Sequence, residues 1–307
     1  MDILTDPLSD TAFLRGLVDV IAVAAVAGVV GTFIVLRGVG FLGDALAHAI
    51  FPGVVVAFLL ESNLLVGALV SALVMAGLMG LLTVNARVRD NTAIGVVFTA
   101  AFALGVVILA NSAIEGEELE HILFGDPIGA SGADVAITLV IGAGVLLTIF
   151  VLRRLFVMAS FDPAGARAMG LPVLLLDLLL LLLTALTVVV SFKAVGNILV
   201  IALLITPAAT ARLLTDRLVP MALAASALGM VASVAGLFVG YHQETSAGGA
   251  IVLISTGMFF AAWLLAPNTG VVTLALARRP ATLLRSEPEA EAEVIVASPE
   301  IQAPHGG

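Results

Sequence analysis

Asp44 and His48 stand four residues apart in an otherwise apolar stretch, GFLGDALAHAIFPG, running from Gly40 to Gly53. On a helix that spacing places both side chains on one face, one above the other. A carboxylate oxygen and an imidazole nitrogen can then meet one cation. This mixed donor set suits divalent first-row metals such as manganese, iron and zinc better than calcium. The plainer reading is a carboxylate at a helix start and a satisfied interfacial histidine, and the spacing alone divides evenly between the two. Ionisable groups inside a membrane are costly, however, and mark function by default. Pro52 and Gly53 lie one turn further on. Pro52 removes a backbone hydrogen bond and frees a carbonyl, and Gly53 permits a bend. Irregular backbone at membrane depth is tolerated where protein or water surrounds it, so Pro52 is expected beside the pathway that the pair lines.

A second stretch runs from Ala194 to Pro220. Its apolar run stops at Thr206-Pro207, small residues follow, and it closes on Arg212, Asp216 and Arg217. A short helix begun by Pro207 and ended by basic residues suits docking into a partner's groove. An ordinary re-entrant turn with flanking arginines would look the same. Single polar residues elsewhere are weaker signals. Asp177 interrupts a leucine run near one end of its segment and could pair with an arginine or line an exit. His121 lies in a glutamate-rich loop, and His242 and Glu244 share another short loop. Such loops can concentrate cations or touch a docking protein, although a solvated loop is the simpler reading for each residue.

The elements that must position these groups follow from composition. The chain has 307 residues, 61% hydrophobic and 11% charged, with a mean hydropathy of +1.20. Soluble domains carry about 25% charged residues, so a bilayer must serve as solvent for most of this chain. Apolar runs able to cross about 30 Å of hydrocarbon fall at 13–36, 45–60, 64–85, 92–110, 133–152, 173–192, 195–211, 219–240 and 249–267. The runs 45–60 and 195–211 are short and contain proline. The expected fold is an all-α polytopic transmembrane bundle of about eight to nine spans. Residues 1–12 form a short lead-in and 13–275 the membrane domain. Residues 279–307, rich in Pro, Ala and Glu, form an acidic tail unable to bury enough apolar area to order itself.

Lys and Arg are enriched in cytoplasmic loops. With alternating loops, Arg37, Arg87, Arg89, Arg153, Arg154, Arg167, Arg212, Arg217, Arg278, Arg279 and Arg285 fall on one side, 11 of the 13 basic residues. The expectation is a multi-pass protein of the cell membrane with its C-terminus in the cytoplasm. The absence of cysteine excludes thiolate metal ligands and thiol catalysis. The net charge of −9 argues against a nucleic-acid partner. No Walker A pattern occurs, so the chain is not expected to be an enzyme. If transport is ATP-driven, another subunit supplies the ATPase.

The two long stretches, GDALAHAIFPG (Gly43–Gly53) and AVGNILVIALLITPAATARLLTDR (Ala194–Arg217), resemble the signature stretches of the ABC-3 family. Leu36-Arg37 and His121–Gly125 (HILFG) extend the likeness, which covers about residues 8 to 275. These are permease subunits of ABC importers for manganese, zinc and iron, of the type II importer kind. The resemblance implies a homodimer in membrane lipid, bound to two cytoplasmic ABC ATPase subunits and served by an extracytoplasmic metal-binding protein. It implies that Asp44 and His48 belong to the transmembrane metal site and that 207–220 forms the coupling helix. No permanently bound cofactor is implied, because the metal is the cargo. Two alternatives stand beside it, an ion-coupled secondary transporter and a permease for an iron chelate.

Overall fold

The computed structural model describes residues 7–84, 90–111, 129–243, 245–266 and 270. A few side chains within these ranges, Asp44 among them, lie outside the described residues. The described residues are helical, without a strand. In chain order the helices are α1 Thr11–Leu36, α2 Phe41–Leu59, α3 Leu64–Val84, α4 Asp90–Ala110, α5 Gly132–Phe161, α6 Pro163–Ala168, α7 Val173–Leu214, α8 Leu218–Gln243 and α9 Ala247–Leu265.

Five helices are long and apolar enough to cross a membrane: Thr11–Leu36, Gly132–Phe161, Val173–Phe192, Leu218–Gln243 and Ala247–Leu265. The apolar parts of the others are shorter among the described residues: His48–Leu59, Leu64–Met79, Ile94–Ala110 and Leu199–Leu214. The expected runs therefore all fall on helices, but eight to nine full spans exceeds the five of full length. Apolar side chains cover the outside as well as the core, with Leu60, Val140, Phe150 and Leu253 all exposed. That is the signature of a bundle solvated by hydrocarbon rather than water.

Helices α1, α7 and α8 form the centre, with α5 and α9 packed around them. Helices α2, α3 and α4 make a second layer that meets α7. Association inside lipid depends on close backbone approach at small residues. A Cβ on Gly31 of α1 would collide with the Leu204 carbonyl of α7, and one on Gly28 would meet the Ser226 backbone nitrogen of α8 at 2.5 Å. The Ser226 hydroxyl also donates to the Ala25 carbonyl at 2.8 Å, tying α8 to α1.

The two ends of the bundle differ. Val35 and Leu36 at the end of α1 pack on Ala208, Ala211 and Met221, so Arg37, Arg212 and Arg217 share one end. Arg37 and Arg167 line one cavity there. At the other end Phe13 packs edge-on against Phe238 and Tyr241, each at 5.1 Å. Asp19, Leu65 and Asp134 meet there too.

One boundary departs from the sequence expectation. The second signature stretch does not break at Pro207, which lies inside α7. The break is at Gly196, whose φ of 69° and ψ of 172° interrupt the helix. A residue without Cβ adopts that left-handed geometry at little cost. Pro207 needs only one missing backbone bond and is carried through by packing near Gly229. Pro207 to Leu214 is thus the last part of α7 rather than a separate short helix. The acidic tail lies outside the described residues.

Candidate metal pathway

The backbones of Asp44 and His48 lie on α2 one turn apart, as the spacing requires. The Asp44 side chain lies outside the described residues. His48 is half-buried, and its imidazole is held edge-on by two rings of α4. Phe98 stands at 5.1 Å with an interplanar angle of 87°, and Phe102 at 5.3 Å with 73°. Phe102 also tilts against Phe51 at 5.8 Å. Such contacts contribute about 0.5–1.5 kcal/mol each and restrict the ring's orientation, which decides where its nitrogens point.

The turn after His48 is gripped from both sides. Pro52 lies inside α2 and has no N–H to donate to the His48 carbonyl four residues back. A Cβ on Gly53 would collide with the Gly67 carbonyl of α3, and one on Gly105 of α4 would stand 3.1 Å from the Pro52 nitrogen. The Ser71 hydroxyl of α3 donates to the Ala49 carbonyl at 2.7 Å. The turn that lacks this hydrogen bond is therefore enclosed by protein, as an unpaired carbonyl at membrane depth must be. Among the described residues no group of three or more His, Cys, Asp or Glu is placed to hold a metal. Asp44 and His48 are the ligand types that one chain offers here.

Asp177 is not part of this group. Its carboxylate pairs with the Arg37 guanidinium, and Arg37 Nε donates to the Ser160 hydroxyl at 2.9 Å. Ser160 donates in turn to the Phe156 carbonyl at 2.6 Å. The pair joins the end of α1 to α5 and α7. It lines a cavity of about 320 Å3 whose walls include Val39, Ile94 and Arg167. Ile94 lies one turn before Phe98 on α4, so the cavity opens between the His48 level and the arginine-rich end.

At that end Arg212 forms an exposed ion pair with Asp216 at 3.0 Å. The Arg217 backbone N–H donates to the Thr215 hydroxyl at 3.3 Å. His242 is exposed at the opposite end, where its Nδ1 lies 2.8 Å from the Phe238 carbonyl and its ring contacts Tyr241. His121 and Glu244 lie outside the described residues.

The aromatic clamp was not foreseen from the sequence, and of the Arg37–Asp177–Ser160 set only an arginine partner for Asp177 was anticipated, without saying which, because both sets join residues distant along the chain. A third feature carried a visible signal that the sequence reading passed over. Asp19 is a lone carboxylate among apolar neighbours in α1, buried to 1% exposure.

Long apolar helices whose outer faces are also apolar define a multi-pass membrane protein. Residues 9–266 match the ABC 3 transport family. The chain belongs to that family. It is similar to the manganese transport system membrane protein MntC of Halalkalibacterium halodurans, 40% identical over 266 residues that cover 87% of this chain and 91% of that one. It is 37% identical to the chelated iron transport system membrane protein YfeD of Yersinia pestis, covering 85% of this chain and 87% of that one. The solved structure of PsaBC from Streptococcus pneumoniae in complex with Fab superposes with a TM-score of 0.80 at 36% identity. It covers 89% of this chain and 99% of that one.

Proposed function

We propose that the chain is the permease subunit of an ATP-driven importer of divalent transition-metal ions in the cell membrane, with manganese the foremost cargo. The observation that carries this is the near full-length likeness to a manganese transport membrane protein together with an aspartate and a histidine one turn apart on a closely packed helix that contains Pro52. Imidazole plus carboxylate accepts manganese, iron and zinc. Of these, manganese and iron appear in the names of relatives.

Asp44 and His48 are the metal ligands in this reading. Two side chains do not fill the coordination sphere of such an ion, so a second copy of the chain supplies the rest in a homodimer embedded in lipid. By the positive-inside tendency the arginine-rich end faces the cytoplasm, and the C-terminus with it. The stretch Pro207, Arg212, Asp216 and Arg217 then meets cytoplasmic ATPase subunits, which hold the ATPase activity. The end with His242 and Glu244, and the loop with His121, faces an extracytoplasmic metal-binding protein. Transport proceeds by alternating access. The ion passes Pro52 and the Asp44–His48 pair and leaves through the cavity beside Arg37 and Asp177.

A permease for chelated iron is the second reading, favoured by the likeness to YfeD. It needs a wider passage and no direct ligation by Asp44 and His48.

The test is the energy source of uptake in cells expressing the system. Radiolabelled manganese uptake should fall on ATP depletion and persist under an uncoupler. Uptake that collapses with the uncoupler while ATP is intact would assign the chain to ion-coupled secondary transport.

A further inference from the structure

The cavity at the arginine-rich end carries more positive charge than its own walls offset. It measures about 320 Å3, near the lower end of the roughly 300–1,000 Å3 common for small-molecule sites. The charged groups in its lining are Arg37, Arg167 and Asp177. Arg37 and Asp177 pair with each other. Arg167 is exposed, and among the described residues its side chain makes no hydrogen bond or ion pair. The lining is therefore left with one net positive charge. Arg37 is itself incompletely satisfied. Asp177 and Ser160 engage two of its nitrogens, and the third, Nη2, is covered by protein without a partner.

The free guanidinium stands on a fixed backbone. Arg167 lies in the last turn of α6, which is capped by Asp162. The Gly165 N–H donates to the Asp162 carboxylate at 2.8 Å, and Ala166, next to Arg167, is fully buried. An arginine that only tied helices together would spend its donors on them. This one keeps them for an occupant of the cavity.

The apolar part of the lining indicates the kind of occupant. Leu174, Leu178 and Leu181 of α7 all line the cavity, and spacings of four and three put them on one helix face. Helix α7 starts at the arginine-rich end and passes Asp19 at the opposite end with Val190. The leucine face thus leads from the arginines toward the middle of the bilayer. Leu174 is 50% exposed, so this wall is continuous with the lipid-facing surface. A small inorganic anion gains nothing from such a face, whereas a group that carries an acyl chain buries it there.

We infer that the cavity binds the phosphodiester headgroup of one anionic phospholipid, with Arg167 as its contact and the Leu174–Leu181 face as the bed of an acyl chain. Charge selects the class. A phosphodiester without a cationic headgroup carries one negative charge and neutralises the lining, whereas a zwitterionic lipid leaves it positive. A guanidinium matches phosphate oxygens with parallel donors, and basic pockets between membrane helices suit anionic headgroups. Arg37 contributes charge rather than contact, because its free nitrogen is covered. The headgroup lies against α6 and α7, and Val39 and Ile94 line the rest of the cavity. A metal cation leaving past a net positive wall is repelled, and a bound phosphate removes that repulsion. This role rests on the proposed import function; the site does not.

The experiment is native mass spectrometry of the delipidated full-length chain titrated with phosphatidylglycerol. One lipid should bind per chain ahead of weaker, stepwise adducts. Arg167→Gln should weaken that first step about tenfold, the worth of one charge-assisted contact to phosphate. Arg154→Gln, which changes an exposed arginine outside the lining, should leave it intact. Phosphatidylcholine should bind clearly more weakly, and millimolar inorganic phosphate should not displace the lipid. An unchanged first step in Arg167→Gln would overturn the proposal. Equal weakening by Arg154→Gln would reduce the effect to general surface charge and overturn it as well. Equal affinity for phosphatidylcholine would overturn the anionic assignment, and displacement by inorganic phosphate would overturn the lipid assignment. Should Arg167→Gln not yield monodisperse protein, Leu174→Asp cancels the net charge from the exposed side of the same wall and carries the same two outcomes. Lipid binding that follows these predictions while uptake proves independent of ATP would keep the site and remove the import reading alone.

Discussion

The imidazole of His48 meets the ring of Phe98 edge to face, 5.1 Å away and within a few degrees of perpendicular. Phe102 closes on the same imidazole from one turn further along α4. A histidine between two ring edges has few orientations left, so α4 sets the direction in which α2 presents its nitrogen. In the proposed transport reading the two helices act together on the cargo, although one of them carries no metal-ligand type at this level.

Phe102→Ala should therefore damage transport through affinity. Releasing one ring contact frees about 0.5–1.5 kcal/mol of orientation, which is roughly a threefold to tenfold change in an equilibrium constant. The expected outcome is a higher KM for manganese uptake with an unchanged yield of folded protein. Phe102→Leu fills part of the space and should fall between the two. An unchanged KM in both variants would show that the clamp does not orient the ring.

The α2–α3 contact offers a prediction about folding. Gly53→Ala introduces a Cβ against the Gly67 backbone, whereas a Cβ on Gly77 of α3 meets nothing within 4 Å. Overpacking of this kind costs about 1–3 kcal/mol, while an alanine in an open helical position gains up to about 1 kcal/mol. Thermal unfolding in detergent should show Gly53→Ala destabilised and Gly77→Ala unchanged or slightly stabilised.

Arg37 and Asp177 should not be equivalent on mutation. The Arg37 side chain is 13% exposed and that of Asp177 is 40% exposed, and Arg37 also donates to Ser160. Arg37→Met strands a carboxylate and removes a donor from Ser160. Asp177→Asn keeps an oxygen facing Arg37. Breaking a fully buried pair costs about 3–5 kcal/mol. Partial exposure reduces that to about 1–2 kcal/mol for Arg37→Met and less for Asp177→Asn. The order of the two melting temperatures is the check.

Much of this was legible in the sequence, for physical reasons that also mark its limits. Asp44 and His48 stood out because ionisable groups are rare in apolar helices, and their spacing fixed a shared face without knowledge of the fold. The helices were legible as apolar runs. The break in α7 was misplaced because proline is the stronger local signal, whereas Gly196 breaks the helix only where the chain is made to adopt a positive φ. Asp19 was as visible as Asp44, but it has no ionisable partner on its own face apart from Arg15. Its neighbours Thr138 and Asp134 come from a helix far along the chain, and only packing brings them together. The same holds for Arg37 with Asp177, which the sequence allowed without naming the partner.

The exposed end of α7 separates stability from coupling. The Arg212–Asp216 pair is solvent-exposed, and such pairs contribute about 0–1 kcal/mol. Arg212→Ala and Arg217→Ala should leave the melting temperature unchanged. In the proposed assembly they should reduce ATP-dependent uptake and co-purification with the ATPase subunit. Normal uptake and normal co-purification in the double variant would remove this segment from the coupling surface.

The central claim is that Asp44 and His48 ligate the transported ion. The most direct measurement is the initial rate of radiolabelled manganese uptake by Asp44→Ala and His48→Ala, with assembly of the complex verified by co-purification. Loss of a direct ligand should exceed the roughly 10–100-fold effect typical of the groups that merely support ligands. Uptake is therefore predicted to fall to background in both variants while the complex remains intact. Near-normal uptake by both assembled variants would contradict the account.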